Sequence, residues 1–153
     1  MQRRELFNSF FNKKQEPKVI RPPYGGSDFI SKCIECSGVC ADVCEENIIV
    51  ILEDKTPHLD FSKSGCTFCD ECAIACEFDV LRVESIKKID TIVSIDMLKC
   101  LSWHKTMCFS CKDPCSENAI DFLGMFRPTI NNDKCTSCGL CIHSCPVSAI
   151  KVN

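Results

Sequence analysis

The chain has 153 residues, a formal net charge of −3 and sixteen cysteines. No stretch approaches the ~20 apolar residues of a membrane-spanning helix, and so many cysteines without a secretory leader point to a reducing compartment rather than to a small secreted disulfide scaffold. Residues 1–27 carry six Lys/Arg against two Asp/Glu while the remainder carries twelve against nineteen, so the acidic body is a poor partner for nucleic acid.

The N-terminal segment opens Arg3-Arg4-Glu-Leu6-Phe7-Asn-Ser-Phe10-Phe11-Asn-Lys13-Lys14. On a helix, Leu6, Phe7, Phe10 and Phe11 share one face with basic residues at both ends. Such a face docks on a partner or a membrane surface, or else belongs to a terminus that is frayed or packed on its own body. Paired arginines resemble a twin-arginine export signal, but the continuous apolar stretch that export requires is missing. A Pro-containing stretch through Arg21-Pro22-Pro23-Tyr24-Gly25-Gly26 comes next. Three regions are expected: a basic extension over 1–27 and two similar modules over 28–90 and 91–153.

The cysteines fall in four runs of four: Cys33/36/40/44, Cys66/69/72/76, Cys100/108/111/115 and Cys135/138/141/145. The fourth run, closing on Cys145-Pro146, has the Cys-x2-Cys-x2-Cys-x3-Cys-Pro spacing of bacterial 4Fe-4S ligand loops, and the second has it without the proline. Short gaps are needed because three thiolates must reach three iron corners of one small cube. The first run has one extra residue, Cys36-Ser-Gly-Val-Cys40, and the third has seven residues between Cys100 and Cys108. Both keep the closing x3 gap. Zinc sites combine two separated Cys-x2-Cys knuckles rather than four compact runs. Sixteen thiolates are the ligand count for four 4Fe-4S clusters.

Each run sits in a longer repeat, with first cysteines at 33, 66, 100 and 135. Three residues after each last cysteine stands a short polar residue (Asn47, Asp79, Asn118, Ser148), and the fifth and seventh positions are apolar. The pattern predicts a helical turn closing over each cluster, then a strand buried on alternate residues. Upstream strands are expected around Phe61, Ile95 and Ile130. The fold class is therefore α+β: two tandem ferredoxin-like two-cluster modules of short strands and helices. In two-cluster ferredoxins the fourth cysteine of each run serves the other cluster. Applied to neighbouring runs, this groups Cys33, Cys36, Cys40 with Cys76; Cys66, Cys69, Cys72 with Cys44; Cys100, Cys108, Cys111 with Cys145; and Cys135, Cys138, Cys141 with Cys115. A nested pairing of the first run with the fourth and the second with the third stays open, the tandem one being preferred because sequential elements are usually neighbours.

Nothing in the chain reads as a substrate site. His58, read as preceding a strand, His104 in the long gap and His143 in the fourth run are expected at the surface or in packing, since sixteen cysteines already saturate four cubes. The insertion Leu101-Ser-Trp103-His104-Lys105-Thr-Met107 holds the only tryptophan. It either shields the third cluster from solvent or anchors a partner.

Taken together, Arg3-Arg4, Arg21-Pro22-Pro23, the four runs, the widened Cys100…Cys108 gap and the ending Cys145-Pro146-Val147-Ser148-Ala149-Ile150 resemble the NapF family of ferredoxin-type proteins over nearly the whole chain. The resemblance implies a cytoplasmic accessory protein of the periplasmic nitrate reductase system that binds the catalytic subunit before export and helps mature it. Peripheral contact with the inner membrane is compatible with that. The extra residue between Cys36 and Cys40 departs from the family pattern and bears on the geometry of the first centre. From the residues alone the expected activity is one-electron transfer, the alternative role being a plain polyferredoxin linking a cytoplasmic donor to a membrane quinone or dehydrogenase complex.

Overall fold

The computed structural model describes residues 18–83 and 87–153. The helix expected over Leu6–Phe11 and the paired arginines lie outside them.

Among the described residues six short strands form three antiparallel pairs. β1 (Ile49–Ile51) pairs with β2 (Pro57–Leu59), β3 (Val93–Ile95) with β6 (Ile150–Val152), and β4 (Ile120–Leu123) with β5 (Phe126–Ile130). A bridge between Gly25 and Leu81, flanked by bonds from Gly26 N–H to the Val80 carbonyl and from Arg82 N–H to the Tyr24 carbonyl, completes the set. The strand leaving the first run thus pairs with the strand entering the second, and the strand entering the first with the segment leaving the second. The same two connections recur between the third and fourth runs. Four single-turn helices, α1 (Phe29–Lys32), α2 (Val39–Asp42), α3 (Glu71–Ile74) and α4 (Leu140–His143), complete an α+β chain.

Hairpin geometry follows from local chemistry. In β1–β2 the Asp54 carboxylate accepts from both the N–H and the hydroxyl of Thr56, at 3.0 and 2.6 Å, tying the turn together. In β4–β5, Gly124 and Arg127 take positive φ, and Arg127 is the extra residue of a bulge between the Phe122–Pro128 and Leu123–Phe126 pairs.

Several expectations shift. Phe61 lies two residues beyond β2 rather than in a strand, and is buried against Gly139 of the other half. Residues 20–26, read as part of the extension, pack on the first half: Ile20 and Tyr24 are buried, and Arg21 donates to the Pro57 carbonyl while stacking over Phe29. The physical reason is that the first run also needs an upstream strand, which a basic Pro-rich stretch disguises. His58 lies inside β2, its Nδ1 accepting from the Ile20 N–H.

In runs one, two and four a helix starts one residue before the third cysteine, contains it and ends before the fourth, rather than following the fourth. Beyond the last cysteine of each run the chain makes a tight turn. Asn47, Asp79, Asn118 and Ser148 all take φ between 47° and 53°, each donating its N–H to the carbonyl of the last cysteine. A helix at these positions was the wrong reading of short polar residues, which also tolerate the left-handed conformation. Run three has turns where the others have a helix. There Pro114 occupies the position at which Val43 and Ala75 donate the i→i−4 bond that closes α2 and α3, and proline has no N–H to give.

Candidate metal centres

Each run is a loop bent so that sulfurs face inward. In runs two and four, Phe68 and Ser137 take positive φ one residue before the second cysteine, and Asp70 and Gly139 one residue after it. Two left-handed residues within four positions wrap the chain around a point, as a ligand loop with x2 gaps requires. Run one turns its first gap as a 3₁₀ helix over Cys33–Glu35 and uses Gly38 for the second reversal. Its extra residue is absorbed there.

The sixteen thiols, all free, gather in four groups. Cys33 and Cys40 lie beside Cys36 and Cys76. Cys44, Cys66, Cys69 and Cys72 line one cavity; Cys100, Cys108, Cys111 and Cys145 line another; Cys115, Cys135, Cys138 and Cys141 line a third. In each of these three cavities the fourth thiol comes from a different run than the other three. Apolar side chains supply much of the remaining walls, repeatedly from the fourth and fifth positions after a last cysteine: Ile48 and Ile49, Ala149 and Ile150, Ala119 and Ile120. All six are buried. The seventh position, expected inside, is half-buried at Ile51, Phe122 and Val152 and 54% exposed at Val83. The inward role belongs to the fourth position, because the left-handed turn before it brings its backbone over the sulfur.

Backbone N–H groups point at these sulfurs. Gly38 donates to Cys36, Phe68 to Cys66 and Leu81 to Cys76, each at 3.4 Å, and Ala119 donates to Cys115 at 3.4 Å and Ala149 to Cys145 at 3.3 Å. Such bonds favour thiolate over thiol and tune a metal held by it. Burial opposes them. It pushes Cys40, Cys66 and Cys111 up to about 11 and Cys72 and Cys141 to about 12, and neighbouring thiols push the same way. At these five positions a cation that takes the proton's place offsets the cost of the charge.

The donor set fits a 4Fe-4S group. Four thiols line each of three largely apolar cavities, the ligand count of one cube whose thiolates each bind a different iron.

The long gap of run three forms a 3₁₀ turn over Leu101–His104 that lies on the β4–β5 hairpin. Leu101 lines the cavity of Cys100 and its partners together with Pro128, and the Trp103 indole N–H donates to the Pro128 carbonyl at 3.2 Å. Arg127 stacks over the Trp103 ring, and His104 Nε2 sits 2.9 Å from the Leu98 carbonyl. The half-buried tryptophan thus braces the residue that forms the cavity wall.

Residues that sequence reasoning passed over include Tyr24 and Asp70. The Tyr24 hydroxyl donates to Asp70, whose other oxygen meets Lys87 Nζ at 3.1 Å; Tyr24 and Asp70 line the cavity of Cys66. Gly65 was also missed, although a glycine directly before a ligand signals close backbone approach.

A 4Fe-4S dicluster domain family matches residues 32–80, and a 4Fe-4S binding domain family matches residues 128–151. The chain is 35% identical over 137 residues to the ferredoxin-type protein NapF of Escherichia coli K12, covering 86% of this chain and 82% of that protein. Its similarity to the NapF of Haemophilus influenzae is 38% over 152 residues, covering 93% and 83%. The methylamine utilization ferredoxin-type protein MauM of Methylorubrum extorquens is 29% identical over 164 residues, covering 91% and 74%. No helix among the described residues is long and apolar enough to cross a membrane.

Proposed function

The chain belongs to the NapF family of ferredoxin-type proteins, and on that premise we propose that it holds four 4Fe-4S centres, passes single electrons among them, and serves as a cytoplasmic accessory protein that binds the catalytic subunit of periplasmic nitrate reductase and helps mature it before export. The observation that supports the cluster count is the sorting of twelve thiols into three cavities of four, with Cys33, Cys36, Cys40 and Cys76 neighbouring one another as the fourth set. Centre one would be held by Cys33, Cys36, Cys40 and Cys76, and centre two by Cys66, Cys69, Cys72 and Cys44. Centre three would be held by Cys100, Cys108, Cys111 and Cys145, and centre four by Cys135, Cys138, Cys141 and Cys115. The strand pairings, first half with first half and second with second, support tandem modules over 28–90 and 91–153 rather than nested ones.

When bound, the clusters supply reversible one-electron storage. The chain's part is to exclude water with Ile48, Ala119 and Ala149, and to set potentials through the N–H donors aimed at sulfur. This is the chemistry of a carrier and assembly factor without a substrate site of its own. The maturation role rests on family membership.

Iron and acid-labile sulfide in anaerobically purified protein are expected at about sixteen each per chain; stoichiometric zinc without sulfide would overturn the cluster assignment. For the role, a pull-down from cytoplasm should retain the nitrate reductase catalytic subunit still bearing its export signal. Retention of membrane quinone or dehydrogenase complexes alone would instead make the protein a plain carrier.

A further inference from the structure

The two halves meet at their ligand loops. The N–H of Cys66 donates to the carbonyl of Cys138 at 2.6 Å. Beside it, Gly65 is pressed so close that a Cβ would stand 2.4 Å from Leu140 N, 2.7 Å from Cys138 O and 2.8 Å from the Gly139 carbonyl carbon. All three obstacles are backbone, so nothing can swing aside. Phe61 closes the other side, lying where a Gly139 Cβ would be, and Gly139 also needs its positive φ of 83°. A further bond holds the halves in register, from Ile89 N–H to the Thr136 carbonyl at 3.0 Å, and next to it the Ser137 hydroxyl fixes the start of the second half by donating to the Thr91 carbonyl at 2.7 Å. Each of these contacts belongs to the ligand loops of runs two and four or to the segments flanking run two. The ligand loops of runs one and three supply none of them.

We infer that this contact is the electron bridge between the modules, so that the four centres work in the order one, two, four, three rather than in chain order. The route runs from the Cys66 sulfur through its Cβ, Cα and N–H, across one hydrogen bond, and through the Cys138 carbonyl, Cα and Cβ to the Cys138 sulfur. Apart from that hydrogen bond every step is covalent. One electron leaves the reduced centre held by Cys66 and enters the oxidised centre held by Cys138; no bond is made or broken and no proton moves. The electron is supplied by an external low-potential one-electron donor. Gly65 acts as a positioning residue, permitting the two backbones to touch. Centres one and three become the outer terminals, one beside the acidic residues Glu35 and Asp42 and the other beside the exposed Lys99 and Lys105.

The inference rests on the four-cluster reading, and the iron and sulfide count separates failure of that reading from failure of the order. In Gly65→Ala protein with unchanged iron and sulfide, flash reduction by a photoexcited one-electron donor should show equilibration between modules slowed about tenfold or more, the scale on which ångström displacements of reacting partners act. An unchanged rate overturns the inference. A second contrast does not depend on that variant folding. Cys69→Ser, which disables a ligand of centre two, should remove the spin-spin broadening between modules in the electron paramagnetic resonance spectrum of dithionite-reduced protein. Cys36→Ser, which disables a ligand of centre one, should leave it in place. Equal effects of the two substitutions, or the reverse pattern, overturn the order.

Discussion

The Asp70 position shows how one side chain serves backbone and site together. It takes φ 69° where runs one and four use Gly38 and Gly139, a conformation aspartate tolerates better than most residues. Its carboxylate is then engaged by Tyr24 and Lys87. The Tyr24 hydroxyl bond first, and the Lys87 ammonium after it, hold the Asp70 carboxyl below the usual carboxylate range. A depressed folded value means that this stabilisation is present above the ordinary carboxylate range and fades as pH falls through it. Tyr24→Phe should therefore lower the thermal midpoint of the anaerobic protein at pH 7, and the gap from wild type should close as pH drops below about 4. A gap that stays constant across that range would mean the hydroxyl acts through packing alone. At the same scale, Trp103 braces Pro128 on the wall of the third cavity. Trp103→Ala should cut iron content toward about twelve per chain, read by metal analysis, whereas full iron with lost partner binding would restore the docking role.

Single-turn helices and three-residue strands owe their shape less to propensity than to the cysteine loops they bracket. The left-handed turn after each last cysteine is the repeat's most regular element. At Ser148 a side chain that dislikes positive φ should be costly: Ser148→Val is expected to destabilise by about 1–2 kcal/mol, while Ser148→Gly should be neutral or stabilising. Anaerobic thermal unfolding of the pair checks this. The cysteine spacing and the repeat made the α+β class, the 4Fe-4S character and the strands at Ile95 and Ile130 readable from the chain. Other parts were not. Short polar residues suit both a helix end and a left-handed turn, so the turn was misread. Pro114 removes one N–H and with it one helix, an effect visible only once its counterparts Val43 and Ala75 are seen donating. The strand before run one hides because Arg21-Pro22-Pro23-Tyr24-Gly25-Gly26 lacks any alternation, and its pairing shrinks to one bridge.

At the scale of the whole molecule, repeat order and spatial order part company. Runs two and four touch, although run three lies between them in the chain. Sequence could not reveal this, since the junction depends on main-chain atoms that any residue supplies and on a glycine chosen for what it lacks. Excess negative charge grows on loading: four oxidised cubes of about −2 each would take the body after residue 27 to roughly −15. The grouping of thiols across runs also imposes a timetable on synthesis. Cys100, Cys108 and Cys111 stay one thiol short until Cys145 emerges from the ribosome, and β3 has no partner until β6 is made. A chain ending between Cys115 and Cys135 would leave Cys100, Cys108, Cys111 and Cys115 all without their partner thiols and β3 with an open edge, so the second half can close only once its last strand is made.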